Sequence, residues 1–199
     1  EGAIGSKGIM EKDVTLSISY KVAKELESRG YKVELTRYTD VYVPLADRTG
    51  IANTKQGDMY ISIHVNASVR QASGAETYYL SLKGAETVSD TVEFENREIR
   101  KSATESKAGT EAEGSDLLFI LWDMAQAEYL KDSALLAERI QQSMNTMTGI
   151  RDRGVKQANL VVLRGLNMPG VLVEVAFISN PAEEARLTQD SFQERVAQA

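Results

Sequence analysis

The chain of 199 residues has no cysteine, one histidine and one tryptophan. Without cysteine it can form neither a disulfide nor a thiolate metal site, and it has no cysteine nucleophile. The formal net charge of −6 argues against nucleic acid as a main partner. No apolar run approaches the ~20 residues of a membrane-spanning helix. The opening EGAIGSKG has neither the basic start nor the apolar stretch of a signal peptide.

Several common catalytic motifs are also missing. No G-x-S-x-G elbow is present, which argues against a serine hydrolase of the α/β-hydrolase type. Neither a G-x-x-x-x-G-K-[ST] loop nor a G-x-G-x-x-G loop occurs, which argues against the common phosphate-binding folds. Apolar residues make up 42% of the chain, as in an ordinary globular protein with one sizeable core.

Periodicity divides the chain into helices and strands. A helix over residues 13–29 is predicted, with Asp13 as its N-cap, because apolar residues recur at every fourth position. A long helix is predicted from about Leu117 to Met147. Strands are predicted at YKVELTR, DMYISIHVN, GAETYYLSL, VKQANLVVLR and GVLVEVAFIS. This alternation indicates one layered α/β domain, with a mostly parallel central sheet flanked by helices.

Residues 84–115 depart from this order. They are rich in charge, serine, threonine, alanine and glycine, and have no dense apolar face. The simplest interpretation of the segment is a surface insertion.

Three residues are candidates for chemistry. His64 ends a strand, where ligands bind in open α/β sheets. Glu174 lies inside the apolar VLVEVAF, where a carboxylate is costly to bury unless it is paired, protonated or bound to metal. Glu11 opens a helix, a place where a carboxylate can simply favour the helix dipole. Together they suggest a zinc site with a glutamate as proton acceptor, although two ligands and one base leave the metal one ligand short.

Six segments of the chain carry a resemblance, and they occur in family order: GAIGSKGIMEKDVTL, LTRYTDVYVPLADRTGIAN, ISIHVNAS, SGAETYYLS, DRGVKQA and VLRGLNMPGVLVEVAFISNPAEE. The chain resembles the zinc-dependent N-acetylmuramoyl-L-alanine amidases of the amidase 3 type, which are bacterial cell-wall enzymes. The resemblance implies that residues 1–199 form an amidase catalytic domain with 84–115 as an insertion. It also implies hydrolysis of the amide between N-acetylmuramic acid and L-alanine in peptidoglycan.

The resemblance also implies roles for individual residues. Glu11 and His64 are expected to bind zinc, and Glu174 is expected to be the catalytic acid/base. A third protein ligand, a histidine, and the first strand of the sheet are expected upstream of Glu1. A role in the substrate groove and an ordinary surface role are both open for Arg37, Tyr38, Asn66 and Arg153.

The resemblance extends to regulation and location. By analogy with some cell-division amidases, residues 84–115 are a candidate lid, with Glu93 or Glu95 nearest the metal and an activator protein as a possible partner. A monomer in the periplasm or outside the cell is expected, with its signal peptide upstream. Two alternatives stay open at this point. One is a non-catalytic peptidoglycan-binding module, and the other is a metal-free domain in which His64 and Glu174 form a buried pair.

Overall fold

The structure, a computed structural model, describes residues 2–68, 72–81, 91–96 and 115–199. For residues 115–127 the structure describes the helical backbone alone. Most of the predicted insertion, residues 84–90 and 97–114, therefore lies outside the described residues.

The described elements alternate between helices and strands. The helices are α1 (Glu11–Ser28), α2 (Leu45–Thr54), α3 (91–96), α4 (Ser115–Thr148), α5 (Pro181–Leu187) and α6 (Asp190–Gln198). The strands are β1 (Tyr60–Asn66), β2 (Ala75–Leu80), β3 (Asp152–Ala158) and β4 (Gly170–Phe177), and a short 3₁₀ helix covers Val161–Leu163. The long helix and the late strand GVLVEVAF are confirmed.

The four strands form one sheet in the order β1-β4-β2-β3. The pairs β1–β4 and β2–β3 are parallel, and β2 runs antiparallel to β4. The predicted α/β fold with a mostly parallel sheet is thus confirmed. Strand β4 is central and buried along its whole length, as its nearly continuous apolar sequence predicts.

Each face of the sheet has its own apolar core. On one face, Val65, Val173 and Val175 pack with side chains of α1, α4 and α6. On the other face, Tyr78 and Leu172 pack with residues of α2, α3 and the 3₁₀ segment. Alternation along the strands also places His64, Glu174 and Glu76 on this second face.

The predicted strand YKVELTR is wrong. Residues 31–35 and 37 have no regular structure, and every residue of the segment 31–37 is exposed or half-buried. A strand needs a hydrogen-bonding neighbour, and a cleft of about 1280 Å³ lies between this segment, α1, α2 and β1. Within the described residues β1 pairs only with β4, so the side of β1 that faces the cleft is a free edge.

Two further predictions about local structure need correction. The helix predicted from residue 13 begins at Glu11, so Asp13 lies within its first turn and is not the N-cap. The strand predicted over 155–164 ends at Ala158, because its partner β2 ends at Leu80, directly opposite. The chain then turns into the 3₁₀ helix, whose Val162 and Leu163 enter the second core.

Across the described ranges, no helix is long and apolar enough to cross a lipid bilayer.

Candidate active site

His64 lies near the carboxyl end of β1 and is 8% exposed. Its Nε2 is 3.0 Å from Ser62 Oγ, two residues earlier on the same face of the strand. The tautomer with its proton on Nε2 donates to Ser62 and leaves the Nδ1 lone pair available to a metal. In that tautomer the buried Nδ1 meets no hydrogen-bond donor among the described residues and faces carboxylate oxygens instead.

Glu11 reaches His64 from the first turn of α1. Its Oε2 accepts a hydrogen bond from the Ala3 N–H at 2.8 Å, and its Oε1 accepts one from the Val65 N–H at 3.2 Å. The same Oε1 lies 3.3 Å from His64 Nδ1. Burial opposes ionisation of Glu11, but His64 and the two backbone N–H groups hold its pKa below the usual value. Glu11 is therefore an ionised carboxylate held in place at the strand end.

A second carboxylate approaches His64 from α3. Glu95 Oε2 lies 2.8 Å from His64 Nδ1, and the Glu95 side chain is 9% exposed. Glu93, the other candidate in this segment, is exposed. Burial alone would lower the pKa of His64, but Glu95 and Glu11 hold that pKa well above its ordinary value. Negative charge therefore concentrates around one imidazole, as it does at a cation site.

These three side chains fit a metal ion. One ligand atom each of Glu11, His64 and Glu95 lies within 4.8 Å of the other two. The buried Oε1 of Glu95 has no hydrogen-bond partner among the described residues, and His64 Nδ1 faces two carboxylates, so a metal would satisfy these atoms. Imidazole nitrogen and carboxylate oxygen are donors that Zn²⁺ accepts.

Glu174 lies on β4 directly beside His64, as its partner in the parallel register. Its side chain is completely buried, and neither carboxylate oxygen has a hydrogen-bond partner among the described residues. Burial, together with the negative charge of Glu95, holds the pKa of Glu174 well above its usual value. A carboxyl group with a raised pKa beside a candidate metal site has the properties of a general acid/base.

Glu76 continues the row of polar side chains onto β2, opposite Glu174. Its Oε2 accepts hydrogen bonds from Arg153 Nε at 2.7 Å and from Lys156 Nζ. Burial opposes ionisation of Glu76, but donors led by Lys156 and Arg153 hold its pKa below the usual value. Unlike Glu174, this buried carboxylate is fully partnered.

The structure thus brings together all three residues that the sequence singled out, Glu11, His64 and Glu174. Asn66 is also near, but it is 1% exposed and bonds to Glu76 and Thr91 instead of facing an open groove. Arg37 donates from Nη2 to Lys12 O at 2.5 Å, next to Glu11, and lines the same cleft as Glu11 and His64.

Tyr38 is 54% exposed and bonds to Glu34 and to the backbone N–H of Leu35. Glu76 is a residue of this row that was not predicted from the sequence. The signal was present, because an acidic residue stands inside the strand sequence AETYYL as Glu174 does in VLVEVAF.

Fold and site together define an α/β protein with a buried imidazole–carboxylate centre where the parallel strands β1 and β4 end. Comparison with known sequences gives the family. The N-acetylmuramoyl-L-alanine amidase family model matches residues 1–199, and the chain belongs to this family.

Two curated relatives illustrate the match. The chain is 34% identical over 201 residues to the N-acetylmuramoyl-L-alanine amidase AmiA of Escherichia coli K12, covering all of this chain and 68% of that protein. It is 36% identical over 200 residues to the amidase AmiC of Neisseria meningitidis serogroup B, again over the whole chain. This chain spans about half of AmiC, 47% of its length.

Solved structures share the fold. The catalytic domain of the amidase CwlV from Bacillus (Paenibacillus) polymyxa var. colistinus is 28% identical, with a TM-score of 0.71 over 99% of this chain and 84% of that one. An N-acetylmuramoyl-L-alanine amidase from Clostridium difficile 630 is 26% identical, with a TM-score of 0.72 over 99% of this chain and 83% of that one.

Proposed function

We propose that this chain is a zinc-dependent amidase that cleaves the bond between N-acetylmuramic acid and L-alanine in peptidoglycan. One observation carries the proposal. Glu174, a buried carboxylate with no hydrogen-bond partner among the described residues, lies one strand away from His64, a buried imidazole whose Nδ1 faces two carboxylates. Family membership supports the choice of substrate.

His64 and Glu11 hold the metal in this proposal. When bound, zinc supplies a Lewis acid that polarises the scissile carbonyl and lowers the pKa of a water molecule from 15.7 to about 7. Glu174 accepts the proton of the attacking water, because a buried carboxylate with a raised pKa holds a proton more strongly than an ordinary one. Glu174 then delivers that proton to the leaving amino group of L-alanine.

A histidine upstream of Glu1 completes the ligand set in this proposal. The strand that carries it would occupy the cleft beside the free edge of β1, where the cleft is lined by Ile61, Ile63 and His64. Strand addition to this edge would also give the segment 31–37 a neighbour. Zinc is then expected to bind more tightly to a protein that contains this histidine than to one in which it is replaced by alanine.

Helix α3 acts as a lid in this proposal, with Glu95 occupying a metal position that substrate or water needs. Thr91 Oγ1 is 3.0 Å from Asn66 Nδ2, and the Val92 side chain is buried in the second core. Asn96 holds the backbone after β3: its Nδ2 donates to Asn159 O and its Oδ1 accepts from the Val161 N–H, both at 3.0 Å. Glu95 is thus one of several contacts that keep α3 closed.

Lid opening is the step on which an activator protein would act. Deleting residues 84–115 is expected to raise basal activity, because it removes Glu95 from the metal centre. Unchanged or lower activity, in a protein that keeps its metal, would count against the lid.

The proposed function is tested with purified peptidoglycan and the zinc-loaded protein. We expect new free amino groups without new reducing sugar ends, because the amide is cut and the glycan is left intact. The matched control is Glu174→Gln, which keeps size and hydrogen-bonding capacity but cannot accept the water proton. We expect it to bind zinc and release no amino groups, and wild-type turnover in this variant would refute the assignment.

The alternative remains a peptidoglycan-binding module without catalysis. It predicts that the folded protein sediments with cell walls, contains no zinc and releases nothing. Two features favour the enzyme: among the described residues Glu174 has no hydrogen-bond partner, and two carboxylates surround His64 Nδ1. A binding module has no need for either. A peptidoglycan substrate places the protein in the periplasm or outside the cell, which we propose as its location.

A further inference from the structure

Two cations share one buried carboxylate at the edge of the candidate active site. Glu76 is completely buried, and its Oε2 accepts hydrogen bonds from both Arg153 and Lys156. One negative charge faces two positive charges, so this group of three side chains carries a net positive charge. Such a group attracts an anion.

Arg153 and Lys156 remain accessible in spite of these bonds. The Arg153 side chain is 29% exposed and the Lys156 side chain is 35% exposed. Within the described parts of the chain, Arg153 donates a hydrogen bond only through Nε. Its guanidinium lies 4.9 Å from the centre of the Phe177 ring, which helps to fix its plane. The two terminal nitrogens of Arg153 can thus form the paired bonds that a carboxylate accepts.

The strand register sets the distance between these cations and the proposed reaction centre. Glu174 lies opposite Glu76, and β3 follows β2 in the sheet. Neighbouring strands are about 4.8 Å apart, so two spacings separate β4 from β3 by roughly 10 Å. The Arg153 side chain reaches back toward β2 to meet Glu76, which shortens this distance. An extended peptide advances about 3.3–3.6 Å per residue, so two residues span about 7 Å.

We propose that Arg153, assisted by Lys156, binds a carboxylate of the stem peptide about two residues beyond the scissile amide. This inference rests on the proposed function, because it assumes that the amide is cut beside Glu174. The free carboxylates of the substrate lie on its peptide side, since the lactyl carboxyl group of the sugar is consumed in the scissile amide. Arg153 is therefore a specificity-determining residue that orients the substrate and selects for a free carboxylate.

The test uses two soluble muramoyl-tripeptides that differ at one group. One carries a free carboxylate on its second residue, and the other carries the carboxamide. Binding to the zinc-loaded protein is measured by calorimetry, and kcat/KM is measured by release of amino groups. Wild type is compared with Arg153→Gln and Lys156→Gln. The control is Arg139→Gln, an exposed arginine on α4, which packs on the opposite face of the sheet.

We expect wild type and Arg139→Gln to prefer the carboxylate by about ten- to hundredfold, the usual effect of a charged hydrogen bond. Arg153→Gln should lose most of this preference and Lys156→Gln part of it, with the carboxamide bound as before. Equal affinity of wild type for the two peptides would overturn the inference, whatever the variants do.

An equal loss for both peptides in Arg153→Gln would also overturn it, because that is the effect of a purely structural residue. The binding arm separates this inference from the proposed function. If wild type binds the carboxylate selectively but cuts neither peptide, the subsite stands and the amidase assignment fails.

Discussion

Asn96 offers a way to open the proposed lid without changing the proposed metal ligands. Asn96→Ala removes two hydrogen bonds to the backbone of Asn159 and Val161. Each is worth roughly 0.5–1.5 kcal/mol, so the closed state loses about 2 kcal/mol relative to the open state. This energy corresponds to about a 30-fold shift of the equilibrium. Because an enzyme that is mostly closed works only through its open fraction, basal turnover should rise by up to about 30-fold.

The assay is the initial rate of amino-group release from purified peptidoglycan, with zinc content and thermal unfolding measured on the same samples. The control is Asn167→Ala, which makes the same substitution at an exposed site next to the same core. We expect its rate to equal that of wild type. If Asn96→Ala kept its fold and zinc but showed the wild-type rate, the view that α3 limits access to the site would be refuted.

Three other predictions concern stability. The pKa of Glu76 is lower in the folded state than its usual value of 4.5, so its ionised carboxylate stabilises the fold fully above pH 4.5, and this stabilisation is lost as pH falls through the folded-state pKa. In thermal melts at several pH values, Glu76→Gln should therefore be less stable than wild type at neutral pH. The difference in stability should become smaller below pH 4.5. Gly5→Ala places a Cβ 2.1 Å from Glu184 Oε1 and should cost about 1–3 kcal/mol in denaturant unfolding, whereas Gly50→Ala, with no atom within 4 Å, should be neutral or stabilising by about 0.5–1 kcal/mol. Chelating zinc should lower the melting temperature, because the metal binds only the folded state; an unchanged melting temperature would contradict a bound metal.

The sequence predicts the elements of this fold better than it predicts their ends. Strand β4 and helix α4 follow from strong local patterns, a long apolar run and a long helical stretch. The segment 31–37 has an equally strand-like pattern but forms no strand. A strand forms only where a second strand lies beside it to form hydrogen bonds, and within the described residues this segment has no such neighbour. Strand β3 ends where β2 ends, and that limit depends on tertiary pairing and not on the residues of β3.

The sequence pointed to those candidate-site residues whose chemical type is unusual for their position in the chain. Glu174 is an acid in an apolar strand, and His64 is the single histidine of the chain. Glu11 was the weakest of the three candidates, because an acid in the first turn of a helix has an ordinary explanation, and its role as a metal ligand came from the family resemblance. The sequence could not predict that Glu95, and not Glu93, approaches His64. Only the packing of α3 decides which of the two side chains faces that residue. Arg153 was named as a groove residue, but its pairing with Glu76 depends on strand order.

The most direct test of the account is the zinc content of the purified, folded protein, measured with its amidase activity and with Glu174→Gln beside it. The account predicts one zinc per chain in both proteins and amino-group release from peptidoglycan by wild type alone. A folded wild type that leaves dialysis against zinc without bound metal, or that hydrolyses the amide equally well without it, would contradict the account.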